Sequence, residues 1–272
     1  MICNLLCLWA CKTGTFGYDG RYVKVLCCVL GRCLRCEKES SLKTYVPLTR
    51  IQKLIGRRML QSKRTKPCFY LERKADVTEL LARRHALSKA LGVKITSNTF
   101  LIHALALAAG RYPLVLGRLD DNGAAICIPD EINVGFAVNS PQGLVVPVIR
   151  QADRKTLAEI ADEERTLTQS ARSNKLTLEQ IEGETIAMSN LGAYDIDTFL
   201  GIVPPAASTI LAVGKVLRVA VPMNGHYEAC KQMSLSLAVD HRIIDAAYAA
   251  RFLNLIAEQL NDPERLQQED PQ

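Results

Sequence analysis

The chain has 272 residues, a formal net charge of +6 and 48% hydrophobic residues. It is long enough to bury a sizeable core, and no apolar run reaches the ~18 residues that a membrane-spanning helix needs. Its densest basic group lies between Arg57 and Lys66 and favours a solvated helix face over a nucleic-acid groove. We therefore expect a globular protein that binds neither nucleic acid nor a membrane.

The cysteines are unevenly distributed, with seven of the ten before residue 40. Cys33 and Cys36 form a CxxC pair, but a metal site needs a second well-spaced pair, so we predict no metal. The dispersed cysteines of the remaining chain are typical of a reduced, intracellular domain. We predict a cysteine-rich N-terminal extension over residues 1–45, whose role is unknown and which need not be folded. One domain follows over residues 46–272.

Periodicity predicts the first elements of that domain. Apolar spacing predicts a helix from residue 51 that ends before Pro67, and a strand follows over residues 68–75. Asp76 and Glu79 predict an N-cap with a capping-box partner for a second helix, on which His85 lies at the surface. The segment 100–109 is apolar on all sides and predicts a buried helix, so its histidine is interpreted as a core residue.

The second half of the chain alternates strands with helices. Strands are predicted over 126–128, 132–138, 144–150, 185–188 and 233–239, and helices over 156–171 and from residue 245 to about 260. The order lacks the strict βαβ rhythm of a doubly wound fold. It predicts an α/β protein with two layers, a mixed sheet and helices.

His241 and Asp245 share one tight turn between the strand over 233–239 and the following helix. A turn held between two packed elements fixes a side chain better than a free loop does. An imidazole titrates near neutral pH, so a histidine held there can take a proton and return it. The turn is therefore a candidate for acid–base catalysis.

Residues 240–245 read DHRIID and resemble the DHRxxDG motif of the 2-oxoacid dehydrogenase acyltransferases, the E2 components, with Ala246 in place of the motif glycine. The resemblance extends from about Val46 to Leu266. It runs through PLTRIQKLIGRRM, INVGFAV, GLVVPVIR, AMSNLGAYDIDTFLGIVPP and STILAVGKV, in the family's order. This family resemblance implies a chloramphenicol-acetyltransferase-like fold, assembled as a trimer with active sites between subunits.

The resemblance also implies roles for individual residues. His241 would be the general base, and Ser189 of the neighbouring chain would donate a hydrogen bond to the oxyanion of the reaction intermediate. Asp245 would orient the turn through a buried hydrogen bond or ion pair, with Arg242 as a candidate partner. These three residues, His241, Asp245 and Ser189, are the predicted catalytic set.

The implied reaction moves an acyl group between a dihydrolipoyl thiol and coenzyme A. Coenzyme A is then a substrate, and the lipoyl group is supplied in trans by a lipoyl-bearing protein or domain. The implied partners are the E1 and E3 components and further copies of the chain, in a homotrimer or a larger cage. The implied location is the cytoplasm, or the mitochondrial matrix in a eukaryote.

Two other functions remain open at this point. The first is a non-catalytic core or scaffold subunit of such a complex, which Ala246 favours and the joint presence of His241, Asp245 and Ser189 opposes. The second is an HxxxD acyltransferase that uses another small acceptor, such as an amine or an alcohol. The long match outside the histidine motif favours the E2 interpretation over this one.

Overall fold

The computed structural model describes residues 17–18, 21–22, 46–141, 143–223 and 225–268. The chain divides into two compact units, residues 1–47 and 48–272. In the first unit, β1 (Gly17–Tyr18) and β2 (Arg21–Tyr22) pair antiparallel. The rest of the predicted extension, with the cysteine pair of residues 33 and 36, lies outside the described residues.

A six-stranded mixed sheet forms the centre of the second unit. Its strands, in spatial order, are β3 (Cys68–Asp76), β12 (His226–Asp240), β11 (Thr209–Met223), β10 (Ile186–Asn190), β6 (Val134–Phe136) and β9 (Val148–Ile149). β10 runs parallel to both β6 and β11, and the other neighbours are antiparallel. Two small ribbons accompany the sheet, formed by β4 (Arg118–Leu119) with β5 (Ile126–Cys127) and by β7 (Val138–Ser140) with β8 (Gly143–Val145).

The helices of this unit are α1 (Arg50–Thr65), α2 (Thr78–Ala90), α3 (Ser97–Arg111), α4 (Leu157–Arg172), α5 (Ala246–Asn261) and α6 (Pro263–Gln268). Capping boxes begin three of them. Thr49 pairs with Gln52 before α1, Thr96 with Thr99 before α3, and Thr156 with Glu159 before α4. No helix of the described ranges has both the length and the apolarity that a membrane crossing would require.

The main hydrophobic core lies between the sheet and the helices. Side chains alternate along a strand, so the two faces of β10 differ. Ile186 and Met188 belong to the main core, whereas Ala187 belongs to a small cluster with Val203. By the same alternation Ser189 faces the side of the sheet that is opposite to the main core, and this orientation matters for the candidate site.

β11 and β12 form a hairpin of two 15-residue strands, of which only residues 233–239 were predicted. The pairing register shifts between Val213 and Val216, where the backbone of residues 196–197 approaches closely. A Cβ built on Gly214 would lie 1.8 Å from the carbonyl oxygen of Asp197. Glycine is therefore required at this position.

Two local predictions are wrong. Asp76 is the last residue of β3 and not an N-cap; Val77 occupies the cap position without a side-chain bond, and the Asp76 carboxylate accepts from the Thr78 backbone at 2.8 Å. The segments 132–138 and 144–150 each form two short strands instead of one. The predicted assignment of His103 agrees with the structure, since it is fully buried inside α3.

Candidate active site

His241 directly follows β12, and the turn around it is held by backbone bonds. The His241 amide donates to the carbonyl of Pro67 at 3.0 Å, and its ring lies 5.1 Å from the ring of Phe69, centroid to centroid. The amides of Ile243 and Ile244 both donate back to the carbonyl of Asp240. The imidazole is thus anchored to β3 on one side and to its own turn on the other.

One ring nitrogen of His241 lies 3.0 Å from the carbonyl oxygen of Ile244. A carbonyl can only accept, so this nitrogen, Nδ1, carries the ring proton in the neutral form. The other nitrogen, Nε2, has no hydrogen bond to any described residue, and the side chain is exposed in the single chain. His241 therefore presents an unprotonated nitrogen outward, which is the arrangement that a general base needs.

The charged partner within the turn is Asp240 rather than Asp245. The Asp240 carboxylate is 1% exposed and accepts from the Arg242 guanidinium at two points, from Nε at 2.9 Å and from Nη2 at 2.6 Å, and from the Arg242 backbone amide at 3.1 Å. The pKa of Arg242 is raised, first by this hydrogen bond. The expectation that Arg242 pairs with Asp245 is therefore wrong, because the turn directs the guanidinium back to residue 240.

Asp245 is exposed and serves as the N-cap of α5. Its carboxylate accepts from the backbone amide of Tyr248 at 2.7 Å. The predicted buried hydrogen bond or ion pair of Asp245 is therefore wrong, because its carboxylate forms an exposed helix cap instead. Ala246 is the first residue of that helix and is not among the residues with positive φ, so the turn does not require glycine there.

Ser189 lies near the end of β10 and is half-buried. In the sheet it is level with Ala212 of β11, which in turn is level with Ser236 of β12. His241 is five residues further along, so the Cα atoms of Ser189 and His241 are separated by about 16 Å along the strands and about 10 Å across them. Within one chain the two side chains cannot meet.

Lys66 is a residue that the sequence interpretation missed. It was assigned to a solvated basic face, but it lies just beyond α1 and its Nζ donates to the carbonyls of Pro204 at 2.7 Å, Pro205 at 3.0 Å and Ala207. Desolvation lowers its pKa to about 8, against a smaller opposing effect of Asp240. Lys66 thus joins the segment before Ser208 to the strand that supports His241.

A groove of about 1210 Å³ lies beside the end of β10, on the helix side of the sheet. Asn98, Glu164, Asn190 and residues 136–139 are among its walls. Five basic side chains line it against two carboxylates; the basic ones are Arg84, Lys94, Arg165, Arg172 and Lys215. Two of these cations are already paired, Arg165 with Asp162 and Lys215 with Asp195 and Asp197, and Ser189 is not among the lining residues.

Across the described ranges, no group of three or more His, Cys, Asp or Glu side chains is arranged to hold a metal ion. The three cysteines described there, Cys68, Cys127 and Cys230, are free thiols. The geometry of the turn offers proton transfer at His241 Nε2, and the Ser189 hydroxyl offers a hydrogen-bond donor.

Comparison with known proteins gives consistent similarities. The family of 2-oxoacid dehydrogenases acyltransferase (catalytic domain) matches residues 40–267. A dihydrolipoyllysine-residue acetyltransferase component of the pyruvate dehydrogenase complex from Rickettsia bellii is 36% identical over 211 residues, which cover 76% of this chain and 50% of that protein. The chain spans about half the length of the curated relatives it matches.

Solved structures give the same result. The cubic core of a pyruvate dehydrogenase multienzyme complex has a TM-score of 0.81 at 31% identity, over 88% of this chain and 99% of that one. The dihydrolipoamide acetyltransferase of Azotobacter vinelandii has a TM-score of 0.79 at 32% identity, over 82% of this chain and 93% of that one. These matches confirm the predicted α/β fold, a two-layer mixed sheet with helices. The chain belongs to the family of 2-oxoacid dehydrogenase acyltransferases, whose catalytic domain it contains.

Proposed function

We propose that this chain transfers an acyl group between a dihydrolipoyl thiol and coenzyme A, as the E2 core of a 2-oxoacid dehydrogenase complex. The observation that carries the proposal is the 3.0 Å contact of His241 Nδ1 with the Ile244 carbonyl oxygen, which leaves Nε2 presented outward.

In this mechanism His241 Nε2 takes the proton of the attacking thiol, whose sulfur then forms the new bond to the thioester carbon. A thiol near pKa 8.5 and an imidazole near 6.5 differ by about two units, so the transfer costs about 2.7 kcal/mol. The imidazolium returns the proton to the departing sulfur as the old carbon–sulfur bond breaks. The exchange involves no oxidation or reduction, and it needs no covalent intermediate with the enzyme.

Ser189 donates a hydrogen bond to the oxygen that becomes negatively charged during this exchange. One such donor contributes about 3–4 kcal/mol to transition-state stabilisation. The Azotobacter vinelandii structure belongs to an investigation of a serine, a histidine and an asparagine in the catalytic mechanism of that enzyme. The serine precedes the histidine there by 52 positions and the asparagine follows by four, the same intervals that separate Ser189, His241 and Asp245. These intervals support the assignment of all three residues.

The active site would be formed between copies of the chain. The separation of Ser189 from His241 within one chain supports this arrangement, because a site that needs both must take them from two chains. The exposed apolar side chains support it too, since a second copy could cover them. Many lie in α1, the residues just before it and the segment 194–202; these are Val46, Leu48, Leu54, Leu60, Tyr194, Ile196, Leu200 and Ile202.

We propose acetyl as the acyl group and propose a lipoyl-bearing protein or domain, E1 and E3 as partners. The names of the relatives, all acetyltransferase components of the pyruvate dehydrogenase complex, support both points. We also propose that the chain forms a homotrimer, alone or within a larger cage. Its proposed location is the cytoplasm, or the mitochondrial matrix in a eukaryote. A panel of acetyl-, succinyl- and isobutyryl-coenzyme A tests the specificity, and preference for another acyl group would overturn the acetyl assignment.

The central experiment measures acetyl transfer from acetyl-coenzyme A to free dihydrolipoamide. We expect clear turnover by the wild type and a loss of about 10³-fold in His241→Ala with the fold intact, within the range for a general base. His85→Ala is the matched control, because His85 is exposed on α2. A wild-type rate no higher than that of His241→Ala would favour a non-catalytic scaffold subunit. Faster transfer to an amine or an alcohol than to dihydrolipoamide would favour an HxxxD acyltransferase with another small acceptor.

A further inference from the structure

Glu164 is a carboxylate of α4 whose side chain is buried, at 6% exposure. Its oxygens accept from the hydroxyl of Thr96 at 3.0 and 2.9 Å and from the hydroxyl of Thr99 at 2.7 Å. Burial raises its pKa, and these hydroxyls and the Asn98 side chain oppose that rise as hydrogen-bond donors. Glu164 therefore gathers several donors from the first turn of α3 at one point.

Asn98 continues this network toward the sheet. Its side-chain oxygen accepts from the side-chain amide of Asn190 at 2.8 Å, and the Asn190 oxygen accepts from the backbone amide of Gly192 at 2.8 Å. Hydrogen bonds thus lead from Asn98 through Asn190, the residue that follows Ser189, to the turn at Gly192, while Glu164 holds the same first turn of α3 through Thr96 and Thr99.

The backbone around Ser189 is paired unevenly. On the β11 side the register continues through Asn190, which is level with Val213. On the β6 side the strand pairing ends at Met188, whose carbonyl accepts from Ala137. The Asn190 side chain, which alternates to the helix side of the sheet, is the attachment that holds the end of β10 to α3.

We propose that Glu164, Asn98 and Asn190 are positioning residues that set the place of the Ser189 hydroxyl, by fixing the end of β10. This inference rests on the proposed function, since it takes Ser189 to be the donor to the oxyanion. The three side chains act through Ser189 and touch no reacting atom. Their loss should lower kcat for acetyl transfer and leave KM for coenzyme A nearly unchanged, because the donor is displaced and the binding surface is kept.

A double-mutant cycle separates positioning from any other role. Asn98→Ala removes one hydrogen bond, and we expect kcat to fall about threefold to tenfold. In a Ser189→Ala background the same substitution should lower kcat less than twofold, because the residue it positions is gone. An equal loss in both backgrounds would overturn the proposal, as would a loss that appears only in KM.

Hydrogen–deuterium exchange of the peptide covering residues 189–194 gives a readout that does not require activity. We expect at least about threefold faster exchange in Asn98→Ala and in Glu164→Leu, with partial recovery in Glu164→Gln, whose amide oxygen still accepts. Glu163→Leu is the matched control, because the neighbouring Glu163 pairs with Lys155 and does not line the groove. Exchange in this peptide at the wild-type rate in both test variants would overturn the proposal that these residues fix the end of β10. A wild-type protein without transferase activity would instead refute the proposed function, and the exchange result would still decide whether these residues fix the end of β10.

Discussion

Complementation between two inactive variants tests whether the active site is shared between chains. His241→Ala chains lack the proposed base and keep Ser189, whereas Ser189→Ala chains lack the proposed oxyanion donor and keep His241. The two residues lie about 19 Å apart within one chain, by the strand spacings of the sheet. A functional pair would therefore combine His241 of one copy with Ser189 of the next.

The expected rate follows from counting the pairs. When equal amounts of the two variants assemble at random around a closed ring, one site in four, about 25%, has both residues intact. This fraction is the same for a trimer and for a cage built from trimers. If the site lay within a single chain, every site would lack one residue, and the mixture would be no faster than the separate variants.

The assay co-expresses the two variants with different affinity tags, purifies mixed assemblies and measures acetyl transfer to dihydrolipoamide. The separate variants should be slower than wild type by about 10²-fold or more, in line with the loss of a base or of an oxyanion donor. A bare trimer that carries both tags has one intact site in three, and a large cage keeps about one in four. A mixed preparation at about one quarter to one third of the wild-type kcat therefore confirms the shared site. A mixed preparation as slow as its components, with mixing verified by both tags, refutes the reasoning from the sheet register.

Three further predictions concern stability and are checked by urea unfolding. Asp245→Ala should lower the free energy of unfolding by about 1 kcal/mol and Asp245→Ser should recover most of it, because the lost interaction is an N-cap; equal losses would contradict this. Arg242→Ala should cost about 2–3 kcal/mol, since it leaves the buried Asp240 carboxylate without its partner, and a cost below about 0.5 kcal/mol would contradict the ion pair. The pKa of Lys66 is about 8 in the folded protein and 10.5 for an ordinary lysine. Between these two pH values the unfolded chain binds more protons than the folded chain. The free energy of unfolding of the wild type should therefore increase as the pH rises from 8 to 10.5. Relative to Lys66→Met we expect a gain of about 1–2 kcal/mol between pH 7 and 10, reduced for partial exposure, and a constant or falling difference would contradict the assignment.

The local parts of the candidate site could be predicted from the sequence. The alternation over 233–239 and the helical spacing after Asp245 are both short-range patterns, and they place His241 in a strand-to-helix turn as observed. Arg242 was assigned the wrong partner because Asp245, three residues on, suits a helical geometry. The structure instead closes a turn at Asp240, in which the Arg242 backbone amide also donates to the Asp240 carboxylate at 3.1 Å, and this turn brings the guanidinium to the same carboxylate.

Long-range contacts explain what the sequence did not reveal. Lys66 belongs to a basic group, and only its contacts with carbonyls 138 and more positions away remove it from solvent. Glu164 did carry a signal, because helical spacing places it on the apolar side of α4 with Ile160 and Leu167. A carboxylate at such a position predicts that buried donors surround it, but not that Thr96 and Thr99 supply them.

The two halves of the proposed site are fixed in different ways. His241 is held by bonds that all arise within its own turn and from β3, so its geometry is complete in a single chain. Ser189 is held by β11 on one side and by the Asn190 side chain on the other, and it faces the side of the sheet opposite to the main core. Since neither arrangement depends on the other, association of the chains need only bring two preformed parts together, without refolding either of them. The catalytic rate should then depend on how closely the copies dock, and substitutions at the exposed apolar residues of α1 should lower activity without changing the stability of the isolated fold.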